Sequence, residues 1–240
     1  MKIAMVCYPT FGGSGVLATE LGKALAAQGH EIHFITYNTP VRLGSFKKGI
    51  FYHEVRVSDY PLFDYPPYEL VLASKMVEVV KDHDIDIIHV HYAIPHASAA
   101  ITAKKILKEE NIDLPIVTTL HGTDITLLGR DISFEPVITY AINQSDAVTA
   151  VSEDLKSETK KIFGVRKDIN VVHNFFCPSH INVDADEEFR LMVAPEGQTI
   201  LTHISNFRPV KRVLDVVKIF NKMLEKKDCR LLLVGDGPDR

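Results

Sequence analysis

Short apolar runs rich in β-branched residues alternate along this chain with longer stretches in which apolar residues recur every three or four positions. The short runs are typical of buried strands, and the longer stretches are typical of amphipathic helices. Strands are predicted at 2–8, 31–37, 51–57, 85–91, 116–121, 147–151 and 169–172. Helices are predicted between them at 14–28, 68–83, 95–110, 134–144 and 152–163.

This strict alternation predicts an α/β fold with a parallel sheet, because parallel strands need crossover connections and helices supply them on both faces. A polar, irregular stretch at 177–198 interrupts the pattern, which then restarts with a strand at 199–204, a helix at 209–226 and a strand at 229–234. We therefore expect a first domain over 1–170, a linker over 171–198 and a second domain from 199 to 240.

The second domain is short for its class. Two strands and one helix cannot bury both faces of a sheet, and the chain stops in the turn GDGPDR, where another helix is expected. The sequence therefore predicts two Rossmann-like domains, of which the second is incomplete in this chain.

Composition narrows the choice of partners. The 240 residues are 46% hydrophobic and 24% charged, with a formal net charge of −4, so no global field attracts nucleic acid or anionic lipid. The three cysteines, Cys7, Cys177 and Cys229, form neither a disulfide framework nor a metal-binding pair. Because no leader pattern and no apolar run of ~20 residues occurs, we expect a cytoplasmic protein without membrane contact.

The glycine turn after the first strand matches the dinucleotide pattern G-x-G-x-x-A from Gly13 to Ala18. An NAD site also needs a glycine close to the strand and a carboxylate at the end of the second strand. Five residues separate Cys7 from Gly13, and the second strand ends at Asn38 without a carboxylate, so NAD is disfavoured. The turn either permits close packing only or presents backbone N–H groups to a phosphate or carboxylate, which we prefer.

A cluster of cations follows the strand at 199–204. Pro209 suits a first helical turn, and Arg208, Lys211 and Arg212 then gather at the positive end of the helix dipole. Either a solvated surface tolerates them, or a bound anion offsets their repulsion. Because ligands of α/β proteins bind at the carboxyl ends of parallel strands, we favour a phosphate site.

Polar residues also end two central strands. The segment TTLHGTD contains His121 and ends at Asp124; a capped turn explains the aspartate, whereas the histidine at the end of a strand indicates a ligand or a specific partner. In HVHYAIPH, His89 and His91 share one face of a strand, a spacing that can bind zinc, although a buried or crevice-facing His91 and a functional Tyr92 are favoured. Common hydrolase and NTPase motifs are absent from the sequence.

Several short segments spread over the whole chain share one resemblance. They are GGSG, HVHYAIPH, TTLHGTD, TAVSEDL, HNF, NFRPVKR and LLLVGDGP. Together they resemble the retaining GT-B glycosyltransferases of family 4, and CYPTFGGSG, HVHYAIPH and NFRPVKRV are similar to the branch that transfers N-acetylglucosamine from UDP-GlcNAc to L-malate in bacillithiol synthesis. The resemblance implies an acceptor site on the first domain, a nucleotide-sugar site on the second and a cleft between them.

The resemblance also implies roles for individual residues on the donor side. Gly13 and Ser14 would face the donor diphosphate, and Arg208 and Lys211 would neutralise the departing UDP without a cofactor or metal. The family commonly has an arginine where this chain has Asn206, so the donor-binding cationic role passes to Arg208. The paired glutamates that hold sugar and ribose in the family would lie beyond residue 240, and we expect the chain alone to be nearly inactive.

On the acceptor side, His121 would contact the transferred sugar as a catalytic residue. Ser14, Tyr92 and Thr119 would help to hold the malate. Another acceptor (a sugar, an inositol phosphate or a lipid) and a non-catalytic sugar-nucleotide-binding module remain alternatives, and an oxidoreductase ranks last. A homo-oligomer is left open by the sequence.

Overall fold

The computed structural model describes residues 1–44, 48–59, 61–126, 129, 131–176, 184 and 186–240. Its strands are β1 (Lys2–Val6), β2 (Glu31–Thr36), β3 (Ile50–Glu54), β4 (Ile87–His91), β5 (Ile116–Leu120), β6 (Ala147–Ala150), β7 (Ile169–Val171), β8 (Thr199–Ile204) and β9 (Cys229–Val234). Its helices are α1 (Gly13–Ala27), α2 (Tyr68–His83), α3 (Ser98–Glu109), α4 (Thr123–Thr126), α5 (Glu135–Gln144), α6 (Glu153–Ile162), α7 (Glu187–Val193) and α8 (Val213–Leu224).

The chain divides into two compact units, Met1–Phe175 and Phe176–Arg240. The first unit contains a seven-stranded sheet in the order β3-β2-β1-β4-β5-β6-β7, and every neighbouring pair is parallel. The chain therefore builds outward from β1 to β3 and then returns to place β4 on the other side of β1. This reversal opens a crevice at the carboxyl ends of β1 and β4, where α/β proteins bind ligands.

Both faces of this sheet are buried. Along β1, Ala4 and Val6 join one apolar core with helices α2 and α3, whereas Ile3 and Met5 join a second core with Ala18 of α1. Successive side chains of a strand point to opposite faces, so an uninterrupted apolar strand is what a sheet covered on two sides requires. The predicted α/β class is confirmed.

Two helices begin later than predicted. The α-helix expected at 95 starts at Ser98, because the turn before it, Ala93–Ala97, is wider: Ala97 N–H donates to the Tyr92 carbonyl, five residues back, over 3.2 Å. The helix expected at 209 starts at Val213, because Arg212 adopts a left-handed conformation (φ 52) after a single tight turn at Pro209–Lys211. The cations therefore lie before the helix rather than in its first turn.

The second unit holds β8 and β9 as a parallel pair connected through α8. Helix α7 lies in a stretch for which no regular element was predicted; Asp186 caps it by accepting a hydrogen bond from the Phe189 N–H. The predicted linker also includes residues 177–183 and 185, which lie outside the described residues, as does Cys177. The other two cysteines are buried free thiols.

Across the ranges that the structure describes, no helix is long and apolar enough to cross a membrane.

Candidate functional site

A pocket of ≈ 210 Å³ opens in the first unit on the α1 face of the sheet. Strands β4, β5 and β6 and the segment after β7 form its floor, and α1 forms one wall. Its lining residues are Leu17, Leu21, His89, His91, Thr119, His121, Thr149, Val151, Val172, His173, Asn174 and Phe175. The pocket therefore lies where the topology predicts a ligand, and the described residues that line it include neither lysine nor arginine.

Two glycines in the first turn of α1, Gly13 and Gly15, differ in what surrounds them. A Cβ at Gly15 would lie 2.3 Å from the Tyr8 carbonyl oxygen and 2.6 Å from that of Thr10, so packing demands glycine there. A Cβ at Gly13 would meet nothing within 4 Å, so packing does not explain that glycine. Helix α1 has no side-chain cap and no acidic residue in its first turn, which leaves its positive N-terminus available to an anion.

The pocket floor is a set of hydrogen-bonded histidines and threonines. His91 Nδ1 and His121 Nε2 are 2.8 Å apart, so one ring donates to the other. His89 Nε2 lies 2.7 Å from Thr119 Oγ1, which is also 2.7 Å from Thr149 Oγ1. A threonine hydroxyl has one proton and two lone pairs, so Thr119 retains capacity for one further hydrogen bond.

Tyr92 lies directly after β4 in a strained position, with φ 88. Its N–H donates to the Thr119 carbonyl over 2.9 Å, and its ring centroid is 5.4 Å from that of His121. Tyr8 of the glycine loop packs edge-on against it at 5.3 Å. Backbone strain of this kind persists where the surroundings over-determine it, and here it brings the Tyr92 ring beside His121.

A buried carboxylate connects the two loops. Asp124, 0% exposed, accepts the Ala93 N–H on one oxygen (3.1 Å) and the Gly122 N–H on the other (3.1 Å), with His121 N–H at 3.4 Å. Burial raises the pKa of Asp124 to about 6, and these N–H groups counteract part of that rise. Asp124 therefore positions Tyr92 and His121 without lining the pocket.

His89, His91 and His121 of the pocket floor are neutral at physiological pH. Burial lowers the pKa of His89 and of His121 to about 4 and that of His91 well below its ordinary value. His96, fully buried behind them, has its pKa lowered to about 4 by burial, and its Nδ1–H donates to the His91 carbonyl. The pocket thus offers polar but uncharged groups to a ligand.

The predicted cationic residues lie in the second unit. Asn206, Arg208 and Lys211 are exposed. In the described part of the chain, neither Arg208 nor Lys211 has an acidic partner within ion-pair distance, whereas Arg212 binds Asp215 at 2.7 Å. Two unpaired cations side by side are therefore available to an anion.

The turn after β9 supports the loop that carries these cations. A Cβ at Gly235 would lie 1.9 Å from the Ser205 carbonyl oxygen, and one at Gly237 would lie 2.4 Å from that of Phe207. Phe207 N–H also donates to the Asp236 carbonyl over 3.0 Å. The turn and the loop therefore form one packed unit.

Sequence reasoning found part of this arrangement. The structure brings Tyr92, Thr119 and His121 together: Thr119 and His121 line the pocket and Tyr92 lies beside His121, while the helix that begins with Gly13 and Ser14 forms one wall. Sequence reasoning missed Thr149 and the positioning role of Asp124. The sequence signals for them were weak: a threonine near the end of β6 and an aspartate three residues after His121. Asn206, Arg208 and Lys211 belong to the second unit, and their predicted roles stay predictions.

Two solved structures share this fold. A glycosyltransferase from Rickettsia africae superposes with a TM-score of 0.71 at 22% identity, covering 98% of this chain and 60% of that one. The Anabaena protein HepE, in complex with UDP and glucose, gives 0.67 at 18% identity over 99% of this chain and 62% of that one. At these identities the likeness shows the fold alone, and it confirms the GT-B class.

Curated relatives extend over the whole chain. N-acetyl-alpha-D-glucosaminyl L-malate synthase of Bacillus anthracis is 52% identical over 240 residues, which is 100% of this chain and 62% of that protein. An uncharacterised glycosyltransferase of Methanocaldococcus jannaschii is 25% identical over 258 aligned residues, which cover all of this chain and 64% of that protein. The chain thus spans less than two thirds of the length of either relative. The model of Glycosyltransferase Family 4 matches residues 11–179, and the chain belongs to that family.

Proposed function

We propose that the protein containing this chain transfers N-acetylglucosamine from UDP-GlcNAc to the hydroxyl of L-malate, with retention at the anomeric carbon, as the first step of bacillithiol synthesis. One observation carries the proposal: the 52% identity, over all 240 residues, to a protein named for that synthesis. The pocket chemistry supports it.

The acceptor would occupy the pocket on the α1 face. Malate carries two carboxylates, and because no lysine or arginine is among the described residues that line the pocket, we assign part of its binding to backbone N–H groups of this unit. The uncapped N-terminus of α1, at Gly13 and Ser14, is one helical turn before Leu17 of the pocket wall. Tyr92 and the remaining hydrogen-bonding capacity of Thr119 complete the proposed acceptor site.

The donor diphosphate would bind Arg208 and Lys211, with Asn206 beside them. In the transfer, the bond between the anomeric carbon and the diphosphate breaks, and the malate hydroxyl oxygen bonds to that carbon on the same face. The hydroxyl proton passes to the departing diphosphate. Fixed cations and helix N-termini stabilise the charge that develops on this leaving group, so the proposed step uses no metal and no cofactor.

His121 would contact the transferred sugar. Its neutral imidazole can donate or accept a hydrogen bond without attracting the diphosphate away from the cations. The bond to His91 and the backbone contact with Asp124 fix its orientation. A preoriented neutral donor of this kind favours a charge-separated transition state over the ground state.

The decisive experiment measures UDP release by protein expressed from the complete gene, with UDP-GlcNAc and L-malate. We expect malate-dependent release, and a loss of roughly 10- to 100-fold in UDP affinity for Arg208→Ala and Lys211→Ala, each of which removes a charged hydrogen bond. Arg212→Ala is the matched control: its guanidinium is already paired with Asp215, so UDP affinity should change less than about 2-fold.

Other outcomes assign the other functions. Release of UDP with a sugar, an inositol phosphate or a lipid, and none with malate, would indicate a family-4 transferase with that acceptor. Binding of UDP-GlcNAc without any release would indicate a sugar-nucleotide-binding module. Equal UDP affinity in the Lys211 variant and the parent protein would refute the proposed diphosphate site.

A further inference from the structure

Three histidines converge on the α2 face of the sheet, opposite the pocket. His33 of β2 and His53 of β3 share this face, because His53 pairs in register with Ile35, two residues after His33. His83 ends α2 and completes the group, which we call the edge cluster. One ligand nitrogen from each ring can be chosen so that all three lie within 4.8 Å of one another. The histidines are 20 and then 30 residues apart in sequence, a spacing that does not predict a metal site.

The geometry is close to that of a metal site. His33 Nδ1 and His53 Nε2 are 2.9 Å apart. Around a tetrahedral zinc ion with Zn–N bonds of about 2.0–2.1 Å, ligand nitrogens are separated by about 3.3 Å. Small rotations of His53 and His83, both half-buried, would therefore bring the three nitrogens to bonding distance, while the fully buried His33 remains fixed.

The rings are in the protonation state that a metal needs. Burial lowers the pKa of His33, and it lowers the pKa of His53 to about 4, with the neighbouring histidines adding to the effect. The 2.9 Å contact between His33 Nδ1 and His53 Nε2 is a hydrogen bond, so one of these two nitrogens accepts and carries a lone pair, the form that binds a metal. Imidazole nitrogen is a preferred ligand of zinc, copper and nickel.

A carboxylate completes the arrangement. Glu31 Oε1 accepts the His33 Nε2–H over 2.9 Å, and this bond assigns the lone pair of His33 to Nδ1, the nitrogen that faces His53. A carboxylate bound to the far nitrogen of a histidine is the usual outer partner of a zinc ligand, and it raises the basicity of the ring. The Glu31 side chain is 37% exposed, so solvent reaches this side of the cluster.

We propose that His33, His53 and His83 bind a zinc ion, with Glu31 orienting His33 and one coordination position left for water. None of these residues lines the pocket, so the ion has no part in the proposed transfer. It would connect β2, the edge strand β3 and the end of α2. Lys2 Nζ already donates to the His83 carbonyl over 2.8 Å, so the end of α2 is held in position before any ion binds.

The test titrates Zn²⁺ into the chain, prepared without a polyhistidine tag and treated with a chelator, and follows heat of binding and melting temperature. Co²⁺ is titrated in parallel, because its visible absorption reports coordination directly. We expect one ion per chain and a higher melting temperature. His53→Gln and His83→Gln should abolish saturable binding, and Glu31→Gln should weaken it by about 10- to 100-fold.

Two controls separate this site from other histidines. His30 lies just before β2, and His121 lies in the pocket. The variants His30→Gln and His121→Asn should both bind zinc with the affinity of the parent protein. Circular dichroism of each metal-free variant checks that it folds. His53 and His83 are substituted rather than His33, because replacing a half-buried side chain disturbs folding less than replacing a fully buried one. Absence of saturable binding, unchanged binding by His53→Gln, or equal loss in His121→Asn would overturn the proposal.

Discussion

The two faces of the N-terminal sheet each carry a group of histidines with a carboxylate beside it, and the two groups differ in what the carboxylate binds. On the pocket face, His89 bonds to Thr119 and His91 bonds to His121, and the groups that Asp124 accepts among the described residues are backbone N–H groups. In the edge cluster, the carboxylate of Glu31 binds the His33 imidazole itself.

The pKa values follow this difference. Burial raises the pKa of Asp124 to about 6, whereas the hydrogen bond from His33 lowers the pKa of Glu31. Asp124 accepts backbone N–H groups and so holds two loops in place. Glu31 accepts the N–H of an imidazole and so determines which nitrogen of His33 carries the lone pair. The same residue types thus build a polar ligand pocket on one face and a candidate metal site on the other.

Of the expected changes, a fall in pH should lower the free energy of unfolding most. The histidines on the pocket side of the sheet should account for most of this loss. Three histidines there (His89, His96 and His121) have pKa values of about 4, and a histidine ordinarily titrates near 6.5. A lowered folded-state pKa gives stability that is present above pH 6.5 and lost as the pH falls towards 4. Urea denaturation should show the unfolding free energy falling by about 1.4 kcal/mol per pH unit for each proton taken up.

The edge cluster offers a direct comparison in the same experiment. His53→Gln removes one titrating ring from that face, so the pH dependence should decrease by one proton and remain steep. An unfolding free energy that stays flat between pH 7 and pH 5 would contradict the assignment of neutral buried histidines.

Reciprocal substitutions should separate the functions of the two faces. In protein from the complete gene, His121→Asn removes a preoriented group from the proposed site, so kcat should fall by about 100-fold. His53→Gln should leave kcat unchanged and remove zinc binding. Steady-state UDP release and zinc titration measure both properties, and a comparable loss of kcat in the two variants would refute the separation.

Asp124→Asn should have a smaller effect, on stability. The amide cannot accept the Ala93 and Gly122 N–H groups on two oxygens, so one buried donor loses its partner at a cost of about 1–2 kcal/mol in unfolding free energy. Because the folded-state pKa of Asp124 is raised, its contribution to stability grows as the pH falls from 6 towards 3.8. Urea denaturation at pH 6.5 and pH 5 should show the gap between parent and variant widening at the lower pH; a narrowing gap contradicts it.

The order of elements could be predicted from sequence because parallel strands buried on both faces leave an unambiguous apolar pattern. The gathering of Tyr92, Thr119 and His121 followed from the same logic, since each lies at or just beyond the carboxyl end of β4 or β5. The start of α8 could not be predicted, because it depends on one left-handed residue, Arg212.

The edge cluster was beyond sequence reasoning for a different reason. Its histidines come from three elements, and their meeting depends on the register of β2 against β3 and on the point where α2 ends. The bridging role of Asp124 likewise depends on a contact between residues 31 positions apart. The hydrophobic pattern of a strand predicts which face of the sheet a side chain lies on. Which side chains meet on that face depends on the register between neighbouring strands.

The glycine turn after β9 has a consequence for how variants of this protein should be interpreted. Gly235 and Gly237 have no side chain with which to bind a ligand. A Cβ at either position would nevertheless clash with the backbone carbonyl of Ser205 or Phe207, just before Arg208. Selection would therefore treat these two positions as though they were binding residues. A survey of tolerated substitutions would score them beside the cations, and only a stability measurement would show that they act by leaving room.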